Sequence, residues 1–318
     1  MMPYDIDVVI PTFNYSKYLL YAVKSVENQT VKPKSIIIVD DGSTDDTEEI
    51  ITSYNSSIPI VYLKKNNGGL SSARNAGIIY SNSTYIGFLD SDDYWLPQKL
   101  EEQLKLFNLT NTDELGLVYC DFEYIDEDGL VILNKAKNEI DIDCRGYCFN
   151  KLLMGNKING SASATILKRK CFEKVGLFDE NLKMGEDWDM WLRIAKEFKI
   201  DFVNNIFVQI RRHSCNMQND KIYVYTNEIG FYNKWIVLPN VDPNPFSKRI
   251  YDNIVSLILN LHFKQAIYSM KILKNCLKPE VKYILFRNYS GVNLFTILLI
   301  IKQRVIKKLK KIFFNEIS

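Results

Sequence analysis

Histidine is nearly absent from this 318-residue chain, which has only two. None of its six cysteines forms a Cys-x-x-Cys pair. These two shortages argue against a zinc site of the usual spacing. No Gly-x-Gly-x-x-Gly follows the first apolar run, and Gly-x-x-x-x-Gly-Lys-Ser/Thr occurs nowhere. Dinucleotide dehydrogenases and P-loop enzymes are therefore poor fits. The net charge of +2 argues neither for nor against nucleic acid, and no nucleic-acid partner is among those expected. Long apolar runs are also missing. Residues 294–301 are apolar except for Thr296, but a bilayer span takes about 20 residues. The first residues lack the basic and apolar regions of a secretory signal. Several cysteines lie in apolar runs and read as small core residues. The expected setting is the cytosol or the cytosolic face of a membrane.

The chain does contain short apolar runs alternating with helical patterns. Residues 7–10, 36–39, 60–63 and 117–122 read as strands, as does the run that ends at Asp90. Residues 36–39 are continuously apolar, as in a strand buried on both faces. Helices are expected over 16–29, after Ser43 or Thr44, over 70–80, from Pro97 to Phe107, and over 186–199. This alternation predicts an α/β fold with a mostly parallel, Rossmann-like sheet and flanking helices. Residues 126–157 read as a loose segment, 161–167 as a return to regular structure and 202–210 as a last strand. A helical region is expected from 221 onward. The expected domains are 1–220, carrying the chemistry, and 221–318, helical with a basic tail.

The chemistry-bearing residues gather where these strands end. Asp90-Ser91-Asp92-Asp93 packs three carboxylates into four residues at the end of a buried strand. Left alone they raise one another's pKa, and a hard cation such as Mg²⁺ or Mn²⁺ removes the conflict. Pro11-Thr12-Phe13-Asn14 ends the first strand and Asp40-Asp41-Gly42-Ser43 the second. In Asn67-Gly68-Gly69, the glycines permit close backbone approach. The helix start and Arg74 after it favour an anion such as a diphosphate. Glu186 and Asp187 place two further carboxylates at a helix start. Carboxyl ends of strands are where open α/β sheets bind ligands.

Taken together, these motifs closely resemble the inverting glycosyltransferases of family two, which have the GT-A nucleotide-diphospho-sugar transferase fold. The matching segments are 8–14, 38–45, 67–69 with 73–77, 88–93 and 185–189, and the likeness covers about residues 5–215. The resemblance implies that Pro11, Thr12 and Phe13 line the nucleotide base and that Asp40, with Asp41 beside it, bonds the pyrimidine ring. It implies Arg74 near the nucleotide and its phosphates, Asp90 on the ribose with Ser91 beside it, and Asp92 on the divalent metal. Glu186 and Asp187 match the acceptor-side acids, with Asp187 as general base. His213 matches a position that can reach the metal or diphosphate. The implied cofactors are Mn²⁺ or Mg²⁺ and a UDP-sugar donor. The implied acceptor is a glycan or lipid-linked glycan in surface polysaccharide assembly. A sugar nucleotidyltransferase and a catalytically silent nucleotide-sugar-binding scaffold are the alternatives.

The tail carries six basic residues and one acid from Lys302 onward, a net +5. Leu298, Ile301, Val305, Leu309 and Ile312 recur at helical spacing. Two readings stand side by side: an interfacial helix drawn to anionic lipid, and a helix packed on the catalytic domain with its lysines solvated.

Overall fold

The computed structural model describes residues 5–110, 113–132, 144–158, 160–236 and 244–259, together with His262 and Gln265. The basic tail and its helical reading lie outside the described residues, as does 133–143 of the loose segment. The chain divides into two compact units, Met1–Asn216 and Met217–Ser318.

The first unit is built on one eight-stranded sheet. Its strands are β1 (Ile6–Thr12), β2 (Ser35–Asp40), β3 (Ile60–Lys64), β4 (Tyr85–Phe88), β5 (Tyr94–Trp95), β6 (Leu115–Ile125), β7 (Thr165–Lys168) and β8 (Lys199–Arg211). They run in the order β3-β2-β1-β4-β7-β6-β8-β5. β1, β2, β3 and β4 are parallel neighbours. β7 enters antiparallel between β4 and β6, while β8 runs parallel to β6. The sheet is thus mixed, with a parallel half that carries the first three motifs.

The helices of this unit are α1 (Ser16–Glu27), α2 (Thr47–Ser53), α3 (Leu70–Tyr80), α4 (Lys99–Thr110), α5 (Phe149–Met154), α6 (Arg169–Val175) and α7 (Glu186–Glu197). α1 buries Leu19, Ala22, Val23 and Val26, one face at helical spacing, in the core that holds Val8, Ile10, Ile36 and Ile38. α3 reaches β1 through Gly77. A Cβ there would lie 2.4 Å from Val9 Cγ1.

Several boundaries differ from expectation: α1 ends at Glu27 and α7 at Glu197, each two residues early, and β8 already starts at Lys199. α2 begins at Thr47, after Asp46, and not after Ser43 or Thr44. The Ser43 hydroxyl instead accepts the Asn14 N–H at 2.9 Å, and Asp45 Oδ1 accepts Thr47 N–H at 3.2 Å. The loop hydrogen bonds thus displace the expected cap. α4 starts at Lys99, and the Pro97 carbonyl accepts Thr30 N–H from outside the helix. Residues 162–164 form a single tight turn of helix before β7 begins at Thr165.

The second unit contains α8 (Lys221–Ile236) and α9 (Asn244–Leu259). Phe231 and Tyr232 of α8 pack against Phe246 of α9, with ring centroids 6.1 and 5.8 Å apart. No helix among the described residues is long and apolar enough to cross a membrane.

Candidate active site

The ends of β1 and β2 are stitched together by side chains of the two motifs themselves. Asn14, at φ 56°, accepts the Thr44 N–H through Oδ1 at 2.8 Å. Thr12 is buried, and its Oγ1 has no partner among the described residues. Pro11 is buried too, whereas Phe13 is 43% exposed. Asp40 is fully buried; it accepts Ser43 N–H at 2.7 Å through Oδ1 and the Tyr62 hydroxyl through Oδ2. Asp41 turns away from this group. It accepts Lys65 Nζ at 2.7 Å, Gly68 N–H at 3.0 Å and Gly69 N–H at 2.7 Å. Its visible work is to hold the glycine loop that opens α3. Gly68 is required there, because a Cβ would meet Ser72 Oγ at 2.7 Å.

Arg74, in α3, is 1% exposed. The resemblance places it near the phosphates; the structure divides it between two carboxylates. Nη2 donates to Asp90 Oδ1 at 2.8 Å and Nη1 to Glu186 Oε1 at 3.0 Å. A buried guanidinium is tolerable only when it is paired, and its planar fork suits two acids at once. Arg74 therefore joins the acidic cluster after β4 to the acidic pair at the start of α7. Asn75, next in α3, accepts Phe178 N–H and donates to the Phe178 carbonyl, both at 2.9 Å. That pair of bonds pins the loop leading to α7.

The acidic cluster is held from the far side by the turn before β7. Ser161 Oγ donates to Asp90 Oδ2 at 2.7 Å. Ser163 Oγ donates to Asp93 Oδ2 at 2.6 Å and accepts Asp90 N–H at 3.0 Å. Ser161 sits at φ 55°, ψ −172°, a region that glycine alone occupies comfortably. Such a backbone costs about 1–3 kcal/mol, and its hydroxyl holds one oxygen of Asp90. Gly160 before it has no room for a Cβ, which would lie 2.4 Å from that of Ala164. Sequence reasoning missed Ser161 and Ser163, since small residues alternating with alanine resemble a strand. Ser91 is buried between the acids.

Asp93 is buried, and burial followed by the charges of Asp92 and Asp90 pushes its carboxyl well above the usual range. Asp92 points elsewhere. Its Oδ2 lies 3.1 Å from His213 Nε2. Arg211 braces this loop by donating Nε–H to the Asp92 carbonyl at 3.0 Å and its backbone N–H to Asp93 Oδ1 at 3.2 Å. Tyr18 stacks on His213 at 5.1 Å and 26°.

Glu186 and Asp187 open α7 after Gly185, whose φ is 77°. Burial, then the Asp187 charge, pushes Glu186 up to about 7 against the opposing pull of Arg74. Asp187 is also raised, by burial first, although Arg74 and the Trp188 N–H oppose it. The helix start alone lowers a carboxylate; here burial wins.

The donor set at Asp92 and His213 fits a hard divalent cation. Their 3.1 Å separation is close to the edge of an octahedron with bonds of about 2.1 Å. Among the described residues no cluster of three or more His, Cys, Asp or Glu side chains forms a metal cage. Mg²⁺ needs no such cage, because one or two protein ligands can be completed by water and substrate phosphates.

A model described as glycosyl transferase family 2 matches residues 7–176. The chain is 32% identical over 220 residues to an uncharacterized glycosyltransferase of Rickettsia prowazekii (strain Madrid E), covering 67% of this chain and 66% of that protein. It is 30% identical over 218 residues to the hyaluronan synthase of Pasteurella multocida, covering 68% of this chain but 21% of that protein. The chain thus spans 66% of the first of these relatives and about a fifth of the second. Among solved structures, S. aureus TarS 1-349 in complex with UDP-GlcNAc aligns at TM-score 0.63 and 15% identity, covering 86% of this chain and 82% of that one. The mannosyltransferase PcManGT from Pyrobaculum calidifontis, in complex with GDP-Man and Mn²⁺, aligns at 0.59 and 13%, covering 96% and 87%. These structural likenesses show the GT-A fold.

Proposed function

Since the chain belongs to glycosyl transferase family 2 and has the GT-A fold, we propose that it is an inverting, metal-dependent transferase. It moves a hexose or N-acetylhexosamine from a UDP-sugar to a hydroxyl of a glycan or lipid-linked glycan in surface polysaccharide assembly. One observation carries this reading. Arg74 bonds Asp90 and Glu186 at once, so the acids expected to take the acceptor proton stand one guanidinium away from those expected to hold the donor.

The proposed roles are these. Pro11, Thr12 and Phe13 line the base, and Asp40 reads the pyrimidine ring with Asp41 holding the glycine loop beside it. Asp90 takes the ribose, with Ser91 packed next to it. Asp92 and His213 hold Mn²⁺ or Mg²⁺. When bound, the cation neutralises charge that develops on the departing nucleoside diphosphate. Asp187 takes the proton from the acceptor hydroxyl as the new bond forms. Glu186 and Arg74 set its electrostatics. The donor in complex with TarS is UDP-GlcNAc and that with PcManGT is GDP-Man with Mn²⁺, which supports a nucleotide-sugar donor and a metal.

Asp187→Asn is the test. It should lower transfer at least about a hundredfold, as expected for loss of a general base, while UDP affinity stays within about twofold. Wild-type transfer by this variant removes Asp187 from the base role. The enzyme is also proposed to touch an anionic membrane surface through its basic tail, which supports a cytosolic-face location. Truncation at Gly291 should abolish binding to anionic liposomes; unchanged binding refutes that contact.

A further inference from the structure

Among the described residues, only two that are not glycine take a positive φ, Asn14 and Ser161. Asparagine tolerates that region because its short side chain bonds nearby backbone. Asn14 bonds in this way, accepting the Thr44 N–H from the neighbouring loop. Ser161 is the harder case. Its φ of 55° and ψ of −172° lie where only glycine is unstrained. The turn before β7 would form with less strain if position 161 were glycine. What glycine lacks is a hydroxyl.

That hydroxyl reaches one oxygen of Asp90. Ser161 Oγ donates to Oδ2 at 2.7 Å, and Arg74 Nη2 donates to Oδ1 at 2.8 Å. Ser163 Oγ accepts the Asp90 backbone N–H at 3.0 Å. Asp90 is therefore held at both carboxylate oxygens and at its backbone. With Arg74 alone, the carboxylate could pivot about the bond at Oδ1. The bond from Ser161 removes that freedom. The hold does not exhaust the acid. Each carboxylate oxygen has two lone pairs, so each keeps one for a ligand hydroxyl. The Asp90 side chain is 22% exposed, against 1% for Arg74 behind it, so a ligand can reach it. An acid oriented before the ligand arrives spares the cost of ordering it on binding.

We propose that Ser161 is a positioning residue for the donor ribose. It holds the Asp90 carboxylate in the pose that accepts the ribose hydroxyls. Its strained backbone follows from the need for a hydroxyl at that point of the turn. The inference rests on the reading of Asp90 as the ribose-binding acid, and it adds a residue that no sequence motif marks. A purely structural role would have the opposite consequence: any residue that eases the turn would serve at least as well.

The test titrates the full chain, with Mn²⁺ present, with UDP and with 2′,3′-dideoxy-UDP, which lacks both ribose hydroxyls. The wild type should prefer UDP. Ser161→Gly and Ser161→Ala both lose the hydroxyl. In each, UDP affinity should fall about fivefold or more while 2′,3′-dideoxy-UDP affinity stays within about twofold, as expected for loss of one hydrogen bond to a charged group. The preference for UDP should shrink accordingly. Melting without ligand separates the hydroxyl from the strain. Alanine keeps the strain and glycine relieves it, so Ser161→Gly should melt above Ser161→Ala yet bind UDP no better. If UDP affinity instead follows the melting temperature and returns in Ser161→Gly, the role is structural and the proposal is overturned. If the wild type prefers UDP and Ser161→Gly keeps the full preference, the reading of Asp90 stands and only the role of Ser161 falls. A wild type that binds both nucleotides equally defeats the reading of Asp90 itself, and the proposal with it.

Discussion

Glu186 and Asp187 are two adjacent acids whose burial works against their helix position. They interact closely enough to titrate as a pair. Glu186 is pushed up to about 7, chiefly by burial and then by Asp187. A raised carboxyl binds its proton below that value, so the pair loses negative charge as the pH falls through about 7. Transfer should therefore decline on the acid side with an apparent midpoint near 7. Glu186→Gln removes the group that titrates there, and the limb should move toward lower pH. A limb that stays near 7 in this variant would show that another group sets it. At this scale much of the candidate site was legible in the sequence. Carboxylates clustered at strand ends are conspicuous because their repulsion needs a reason. Ser161 and Ser163 were not legible, because nothing in their spacing separates them from ordinary loop residues. Arg74 was legible as a functional cation but not as the bridge between Asp90 and Glu186, since its partners are 16 and 112 residues away.

The elements follow from periodicity wherever burial is one-sided or complete. β2 reads as a buried strand because Ile36, Ile37, Ile38 and Val39 are all apolar, and all are fully buried. The tight turn at 162–164 lies inside the stretch expected to return to regular structure, and its Ser-Ala-Ser-Ala alternation does not announce a turn. What bends it is tertiary: two serine hydroxyls bond Asp90 and Asp93, and Gly160 lies against Ala164. Helix packing also depends on a contact no pattern displays. Gly77→Ala gains about 0.5–1 kcal/mol of helix propensity. It also drives a Cβ to within 2.4 Å of Val9 Cγ1, and overpacking of that kind costs about 1–3 kcal/mol. The clash should win. The melting temperature should fall by a few degrees, at about 2–4 °C per kcal/mol for a unit of this size. A melting temperature equal to or above wild type would mean that α3 moves off β1 without loss.

The whole molecule pairs a family 2 unit with a second unit whose two described helices pack through Phe231, Tyr232 and Phe246. The family model ends at residue 176, yet Glu186, Asp187 and His213 lie beyond it. The proposed chemistry therefore joins motifs from the first ninety-odd residues to a helix start and a strand end far along the chain. Thermal stabilisation by ligands tests that joining. The protein should be melted with UDP, GDP and their sugar conjugates, each with Mn²⁺ and with EDTA. The melting temperature should rise with UDP and a UDP-sugar, and the rise should depend on Mn²⁺ and be lost in Asp92→Ala. No rise with any nucleoside diphosphate in the presence of Mn²⁺ would contradict it.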